Sequence, residues 1–198
     1  MNMASLNADS LLLIRVYIAL ECLVTFSVVC RFLARWKSHA PVAWDDAWVV
    51  IAWVFYITVY FSVVLRAFML GSAQLQLSTP PLEDLFTILK LEYAGAILFE
   101  TANIAAKVSL LCLYRRIFTT RTFRKWSIAV FTFCIIWYIS SLLTTLFQCW
   151  PVHQAWNPLA VTGVDRKCID LIRFILGYEI GNIVADVLVL CLPMRMIQ

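Results

Sequence analysis

Charged residues are scarce in this sequence. Only 14% of its 198 residues are Asp, Glu, Lys or Arg, against roughly 25% in soluble domains. So few charges cannot cover a water-exposed surface, whereas the outer surface of a membrane bundle is apolar because it faces lipid. The 5 glycines and 6 prolines also leave little material for long loops or linkers. The composition excludes an ordinary soluble protein and predicts a single membrane domain whose main partner is the lipid bilayer.

Motifs for catalysis, metal binding and cofactor binding are missing as well. The two histidines, His39 and His153, lie in no ligand-like spacing. There is no phosphate loop, no G-x-S-x-G and no H-E-x-x-H. We therefore expect no enzyme activity, no cofactor and no metal. The net charge of +4 comes from basic residues at the ends of apolar segments, which mark membrane orientation, so we expect no nucleic-acid partner.

Five segments are long and apolar enough to cross a bilayer, which takes about 20 residues. The second and fourth have uncharged cores, at 47–65 and 127–147. The sequence predicts an all-α membrane protein, a bundle of five transmembrane helices over 11–193. A short N-terminal segment, 1–10, precedes the bundle, and a short end, 194–198, follows it. The predicted helices cover about 11–34, 45–69, 88–115, 126–147 and 171–193.

The positive-inside rule sets the predicted orientation. The segment 115–125, which follows the third helix, is rich in arginine and contains no acid. Such segments stay in the cytoplasm, so we expect an extracellular N-terminus and a cytoplasmic C-terminal end. The five basic residues of this segment are Arg115, Arg116, Arg121, Arg124 and Lys125.

Helices 3 and 5 each carry three polar residues at the spacing i, i+3, i+7, which places them on one helical face. Ionisable groups inside a membrane normally turn inward and find partners. Because Lys107 and Asp186 fall at similar depth, we expect them to form an ion pair. Two interpretations stay open: the pair only holds the bundle together, or the set forms a switch or ligand site. The six residues are Glu100, Asn103, Lys107, Glu179, Asn182 and Asp186.

Two carboxylates, Asp45 and Asp46, open the second helix. One interpretation is helix capping with a favourable dipole interaction. The other is a bridge to Arg115 or Arg116 at the end of helix 3, which would form a cytoplasmic lock.

Two of the 7 cysteines bracket the loop between helices 4 and 5. If that loop is extracellular, it lies in an oxidising compartment and Cys149 and Cys168 form a disulfide. With the opposite topology, both are reduced thiols. The other five cysteines lie in or at the ends of helices, where we expect free, buried thiols.

Four stretches in order resemble the fungal rhodopsin-domain integral membrane proteins. They are Asp45-Asp46, K-V-S-L-L-C-L-Y-R-R-I-F (107–118), Q-C-W-P (148–151) with Trp156 and C-I-D (168–170), and N-I-V-A-D-V-L-V-L-C-L-P-M (182–194). The resemblance covers most of 10–194. It implies a seven-helix, receptor-like bundle in the plasma membrane with its N-terminus outside, many members being regarded as G-protein-coupled receptors. The positions that match the family pattern are Asp45, Asp46, Lys107, Tyr114, Arg115, Asp186, Pro193 and the loop cysteines Cys149 and Cys168.

The sequence departs from this family at its C-terminal end. It stops at Gln198, after the fifth predicted helix, and Arg195 stands where a further proline is common. We therefore expect the first five helices of a seven-helix bundle, in either a shortened chain or a degenerate paralogue. Retinal is not expected, because the Schiff-base lysine of true rhodopsins lies on a seventh helix.

Three functions compete at this point. The first is a receptor-like protein that senses an extracellular ligand, of unknown identity, and signals to a cytoplasmic protein at the segment 115–125. The second is a transporter or channel component that uses the intramembrane charges as a polar pathway; a continuous water-accessible route between helices 3 and 5 would favour it. The third is a non-functional truncated paralogue.

Overall fold

The computed structural model describes residues 3–37, 44–75, 82–156 and 167–194. Five long helices make up most of this part, and each contains a stretch long and apolar enough to cross a membrane. They correspond to the five segments that hydropathy predicts, so the described part of the chain is a helical membrane protein with five helices long and apolar enough to cross a bilayer. The helices are α1 (Met3–Lys37), α2 (Trp44–Leu75), α3 (Leu82–Ile117), α4 (Arg121–Leu146) and α5 (Leu171–Met194).

Several helices extend beyond the apolar segments that predict them. α1 begins at Met3 rather than near residue 11, and α4 begins at Arg121 rather than near residue 126. Hydropathy marks only the hydrocarbon-spanning part of a helix, whereas polar residues can continue it through the headgroup region. As a result, the five basic residues of 115–125 lie on two helix ends rather than in a loop. Of the predicted C-terminal end, 195–198 lies outside the described residues.

A small antiparallel ribbon lies between α4 and α5. Its strands are β1 (Cys149–Trp150) and β2 (Lys167–Cys168), with Cys149 opposite Cys168, and a short 3₁₀ turn, Val152–Trp156, follows β1. Hydropathy does not predict this ribbon, because two-residue strands leave no periodic pattern. We call this end of the bundle the ribbon end. The opposite end, where α1, α3 and α5 end and α2 and α4 begin, is the basic end.

α3 is the central helix, packing against α2, α4 and α5, while α1 packs mainly on α2. Small residues allow the close approach: Ala102 and Ala105 are fully buried, and Gly95 lies directly against Ser62 of α2. Transmembrane helices associate through such small-residue contacts because lipid offers no hydrophobic driving force between them. The alanines and glycine in the sequence of α3 thus indicate its central position.

An apolar cluster joins α3, α4 and α5 in the half of the bundle nearer the basic end. Thr120 caps α4 by accepting a hydrogen bond from the Phe123 backbone N–H at 3.4 Å, and the Phe123 ring lies 5.0 Å from that of Phe118. The outward surface is also apolar, with Phe26, Ile136 and Ile172 more than half exposed, as expected for side chains that face lipid. The buried members of the cluster are Leu111, Phe123, Val130, Cys134, Ala185, Val189 and Leu192.

Candidate functional site

Lys107 connects α3 to α5 near the middle of the bundle. Its Nζ donates to Asn182 Oδ1 at 2.6 Å and lies 2.9 Å from Asp186 Oδ1. The Lys107 side chain is buried, because its long stem runs through the α3–α5 contact before the ammonium reaches Asp186. The structure therefore brings together three of the six intramembrane polar residues, including the two expected to form an ion pair.

Asn103, one turn away on α3, links three helices. The Tyr56 hydroxyl of α2 donates to Asn103 Oδ1 at 3.0 Å, and Asn103 Nδ2 donates to the Tyr178 hydroxyl of α5 at 3.4 Å. Neither tyrosine is predicted from sequence as part of the site. Tyr178 could be found, because it precedes Asn182 by four residues and so shares its helical face.

Glu100 is almost fully buried between α3 and α4. Its two carboxylate oxygens accept hydrogen bonds from the Thr145 hydroxyl, at 2.6 Å, and the Ser141 hydroxyl, at 3.1 Å. Ser141 and Thr145 are four residues apart on α4, so both face the same carboxylate. Neither hydroxyl is predicted from sequence, because charged and amide side chains alone define the polar pattern inside the membrane.

Among the described residues, Glu179 differs from the other five polar residues in its lack of a partner, although Asp186 is exposed as well. The interior face of α5 runs through Tyr178, Ala185 and Val189, and Glu179 lies at the edge of that face, where it is exposed. Within the described residues, Glu179 makes no hydrogen bond or ion pair. The spacing i, i+3, i+7 places Glu179 on the same helical face as Asn182 and Asp186. That spacing does not show which residues of the face lie at its buried centre.

A cavity of about 290 Å³ opens at the ribbon end between α3, α4 and α5. The Tyr93 ring lies 5.5 Å from that of Trp156, and the Tyr93 hydroxyl donates to the Leu146 carbonyl at 3.1 Å, which fixes this wall. Cys149 and Cys168 are disulfide-bonded at the rim. Its aromatic and acidic lining consists of Tyr93, Phe99, Phe174, Tyr178, Glu92, Glu100 and Glu179.

A second, much smaller cavity of about 20 Å³ lies deeper in the bundle. That volume holds about one water molecule. Its lining includes Lys107 and Trp137, whose buried Nε1 has no hydrogen-bond partner among the described residues. Glu100 and Tyr178 line both cavities. These two side chains therefore form the shared wall between the ribbon-end cavity and the polar network.

At the basic end, Asp45 and Asp46 are buried and paired with two arginines of α1. Arg31 Nη2 lies 2.7 Å from Asp45 Oδ2, and Arg31 Nε lies 3.3 Å from Asp46 Oδ1. Arg35 also contacts both carboxylates, reaching Asp46 Oδ2 at 2.6 Å. The Ser109 hydroxyl of α3 donates to the Asp45 carbonyl at 2.8 Å. These contacts tie α1, α2 and α3 together.

Arg115 and Arg116, the arginines of the predicted cytoplasmic lock, differ in their contacts with Asp45 and Asp46. Arg116 Nη1 lies 4.0 Å from Asp45 Oδ1, at the limit of an ion pair, and is partly exposed. Both arginines line an open depression with Phe118 and Arg124, and among the described residues Arg115 has no ion pair with either aspartate. Sequence reasoning misses Arg31 and Arg35 as the main partners, although their i, i+4 spacing at the end of α1 puts both on one face.

The remaining cysteines are free thiols, but most are not buried. Only Cys134 is fully buried, Cys112 is half-buried, and Cys22, Cys30 and Cys191 are exposed. The expectation of buried thiols is therefore wrong for three of the five, because an apolar surface that faces lipid accepts a small apolar thiol as readily as a core does. Within the described residues, no group of His, Cys, Asp or Glu could hold a metal ion.

The five apolar helices and their inward polar contacts define a multi-pass helical membrane protein. The family model described as "Fungal rhodopsin domain" matches residues 30–198, so the chain belongs to that family. No solved structure matches this chain.

Several curated fungal proteins are similar to this chain. A SAT4 family membrane protein of Emericella nidulans is 27% identical over 76% of this chain and 36% of its own length. Wortmanamides biosynthesis cluster protein C of Talaromyces wortmannii is 28% identical over 85% of this chain and 46% of its own length. Satratoxin biosynthesis SC1 cluster protein 4 of Stachybotrys chartarum is 35% identical over 46% of this chain and 33% of its own length. The chain thus spans between about a third and just under half of these relatives' length.

Proposed function

We propose that this protein acts as a receptor-like membrane protein, which binds a small ligand in the ribbon-end cavity and passes the change to the basic end. The observation that carries the proposal is the wall shared by the two cavities. Glu100 and Tyr178 border the ligand cavity on one side and the inner polar cavity on the other. A ligand that moved either side chain would change the hydrogen bonds of Asn103, Ser141 or Thr145.

The polar network supplies a physical route for such a change. Tyr178, Asn103 and Tyr56 form a chain across α5, α3 and α2, and Lys107 joins α3 to α5 one turn nearer the basic end. A ligand shifts the balance between two packings only if it binds one of them better. The shared wall provides that difference, because its side chains belong both to the ligand site and to the helix contacts.

Transport receives less support from the same geometry. A transport route needs a continuous polar passage between α3 and α5. The inner cavity is about 20 Å³, and the contacts of Lys107 with Asn182 and Asp186 occupy the next turn. This region fits a closed, hydrogen-bonded contact better than an open path.

We further propose that the protein lies in the plasma membrane with the ribbon end outside and the basic end in the cytoplasm. Basic residues at helix ends favour the cytoplasmic face. The exposed arginines and lysine of 115–125 would then meet a cytoplasmic signalling protein. Reversing the charge of Arg121, Arg124 and Lys125 would abolish binding of that protein, and unchanged partner binding and signalling would count against this surface.

Orientation can be tested on intact cells. A cysteine placed at Val152, in the 3₁₀ turn of the ribbon end, should react with a membrane-impermeant maleimide before permeabilisation. A cysteine placed at the exposed Thr119, at the basic end, should react only after permeabilisation. The parent chain provides the background from its own exposed thiols. The reverse order of reactivity would refute the orientation.

Coupling between the two ends can be tested without a known ligand. Ala155 lines the ribbon-end cavity, so an Ala155→Cys variant labelled with benzyl methanethiosulfonate carries a benzyl group where a ligand would bind. We expect the label to change backbone hydrogen exchange in the last turns of α3 and the first turns of α4. Arg173→Cys, at a position whose side chain is 88% exposed and lies outside the cavity lining, provides the labelled control. No change at the basic end with the cavity labelled would refute coupling.

A further inference from the structure

We infer that the ribbon-end cavity selects a small cationic ligand, an ammonium group carried on an apolar body. The inference rests on the proposed function, since it names the ligand class for the same cavity. Among the described residues, the lining contains three glutamates, Glu92, Glu100 and Glu179, and no lysine, arginine or histidine. The rest of the lining is mainly apolar and aromatic.

The aromatic rings provide one part of the recognition. Tyr93, Phe99, Phe174 and Tyr178 all line the cavity. The face of an aromatic ring carries negative electrostatic potential and attracts ammonium groups, with an effect that grows when the site is shielded from water. Four rings around one cavity favour a cation over an anion of the same size. They also provide the apolar surface that a hydrocarbon body needs.

The glutamates provide the other part, and they are not equivalent. Both oxygens of Glu100 already accept hydrogen bonds from Ser141 and Thr145, so Glu100 is not available to pair with a ligand. Glu92 already interacts with another group of the protein. Glu179, by contrast, makes no hydrogen bond or ion pair within the described residues and lines the cavity from α5. Glu179 is therefore the carboxylate that pairs with the ammonium.

Cavity size limits the ligand. At about 290 Å³, the cavity is at the lower end of the range of about 300–1,000 Å³ that small-molecule sites occupy. That volume suits a compact molecule with one ring system rather than a peptide or a lipid. The combination of size, rings and an available carboxylate points to a compact aromatic or aliphatic amine.

A matched set of probes tests this inference directly. The probes are naphthylmethyl-trimethylammonium, the uncharged isostere in which carbon replaces nitrogen, and naphthalenesulfonate. Binding is measured by fluorescence to the full chain in nanodiscs of zwitterionic lipid, and empty nanodiscs correct for partition into the bilayer. We expect the ammonium to bind about tenfold more tightly than the isostere and the sulfonate to bind most weakly.

Variants of Glu179 test whether this carboxylate causes the preference for the ammonium probe. Glu179→Gln should reduce the ammonium-to-isostere ratio from about tenfold to about two- to threefold, the rest of the preference coming from the aromatic rings. Glu179→Arg should favour the sulfonate. Asp170→Asn removes a carboxylate at the same end but outside the cavity lining, and should leave the ratio unchanged. Because Glu179 is exposed and makes no contact that holds the fold, its variants should retain the melting temperature of the parent chain.

Three results would overturn the inference. These are an isostere or sulfonate that binds as tightly as the ammonium, a ratio that Glu179→Gln leaves unchanged, and a folded chain that binds none of the probes. A different result would refute the proposed function. If the ammonium binds with the expected preference but hydrogen exchange at the basic end stays constant when the cavity is occupied, the ligand class stands and the receptor-like coupling is refuted.

Discussion

Lys107 and Asp186 contact each other at 2.9 Å from very different environments: the lysine side chain is 8% exposed and the aspartate side chain 52%. An ionised group that is enclosed without a counter-charge has no room to reorient, whereas a half-exposed side chain on the bundle surface can move toward a more polar surrounding at lower cost. Asp186 also shares its lysine with Asn182, which accepts a second hydrogen bond. The two partners should therefore respond unequally to substitution.

We predict that Asp186→Asn destabilises the bundle more than Lys107→Gln. The first leaves a buried ammonium without its carboxylate and should cost about 2–4 kcal/mol of unfolding free energy. The second leaves a half-exposed carboxylate and should cost about 1–2 kcal/mol. Unfolding midpoints in one fixed detergent provide the measurement. Equal losses, or a larger loss for Lys107→Gln, would show that the ammonium is not the costly partner.

The ion pairs of α1 with α2 lead to a second prediction. Each of Arg31 and Arg35 contacts both aspartates, so either arginine alone can neutralise part of the pair. Single Arg31→Gln and Arg35→Gln variants should each lose about 1 kcal/mol, and the double variant should lose more than the sum, about 3–5 kcal/mol. Hydrogen exchange over 20–35 in α1, together with the unfolding midpoint, measures the loss.

Arg15 offers a matched control for this second prediction. It lies on the same helix and is exposed, so Arg15→Gln should change stability by less than about 0.5 kcal/mol. A simple sum of the two single losses in the double variant would mean that the arginines act independently. That result would contradict the shared pairing seen in the structure.

Apolar length and spacing predict much of this fold from sequence. The five helices follow from their apolar length, and the central position of α3 follows from its small residues. Lys107 and Asp186 can be paired because both lie at similar depth on facing helices. These are local properties, since each depends on one segment and its length.

Partner choice between helices could not be predicted in the same way. Arg31 and Arg35, rather than Arg115, pair with Asp45 and Asp46, because the rotation of α1 about its axis decides which side chains meet. Glu179 lies at the edge of the buried face for a related reason: spacing gives the shared face but not its centre. The hydroxyls that bind Glu100 come from the uncharged membrane segment of α4, where charge patterns give no indication.

Two neighbouring threonines of α4 test the burial of Glu100. Thr145 donates to the buried Glu100 carboxylate, whereas Thr144 is only half-buried and donates to the Ser140 carbonyl of its own helix. Thr145→Val removes a hydrogen bond to a buried charged or polar group and should cost about 1–3 kcal/mol. Thr144→Val makes the same chemical change and should cost less than about 0.5 kcal/mol. Similar losses for both would show that the Glu100 contact does not stabilise the bundle.

Two glycines of α5 provide the last test, because they lie one turn apart in opposite surroundings. A Cβ at Gly181 would lie 2.0 Å from Trp137 Cζ2, whereas a Cβ at Gly177 would meet nothing within 4 Å. Gly177→Ala should stabilise the helix by up to about 1 kcal/mol, through the better helix propensity of alanine. Gly181→Ala has the same propensity gain but must displace the Trp137 ring, so it should lose about 1–3 kcal/mol net. Melting temperatures of the two variants should therefore move in opposite directions. A rise for both would mean that α4 and α5 are not in close contact at Gly181. The inner cavity that Trp137 lines would then be larger than about 20 Å³.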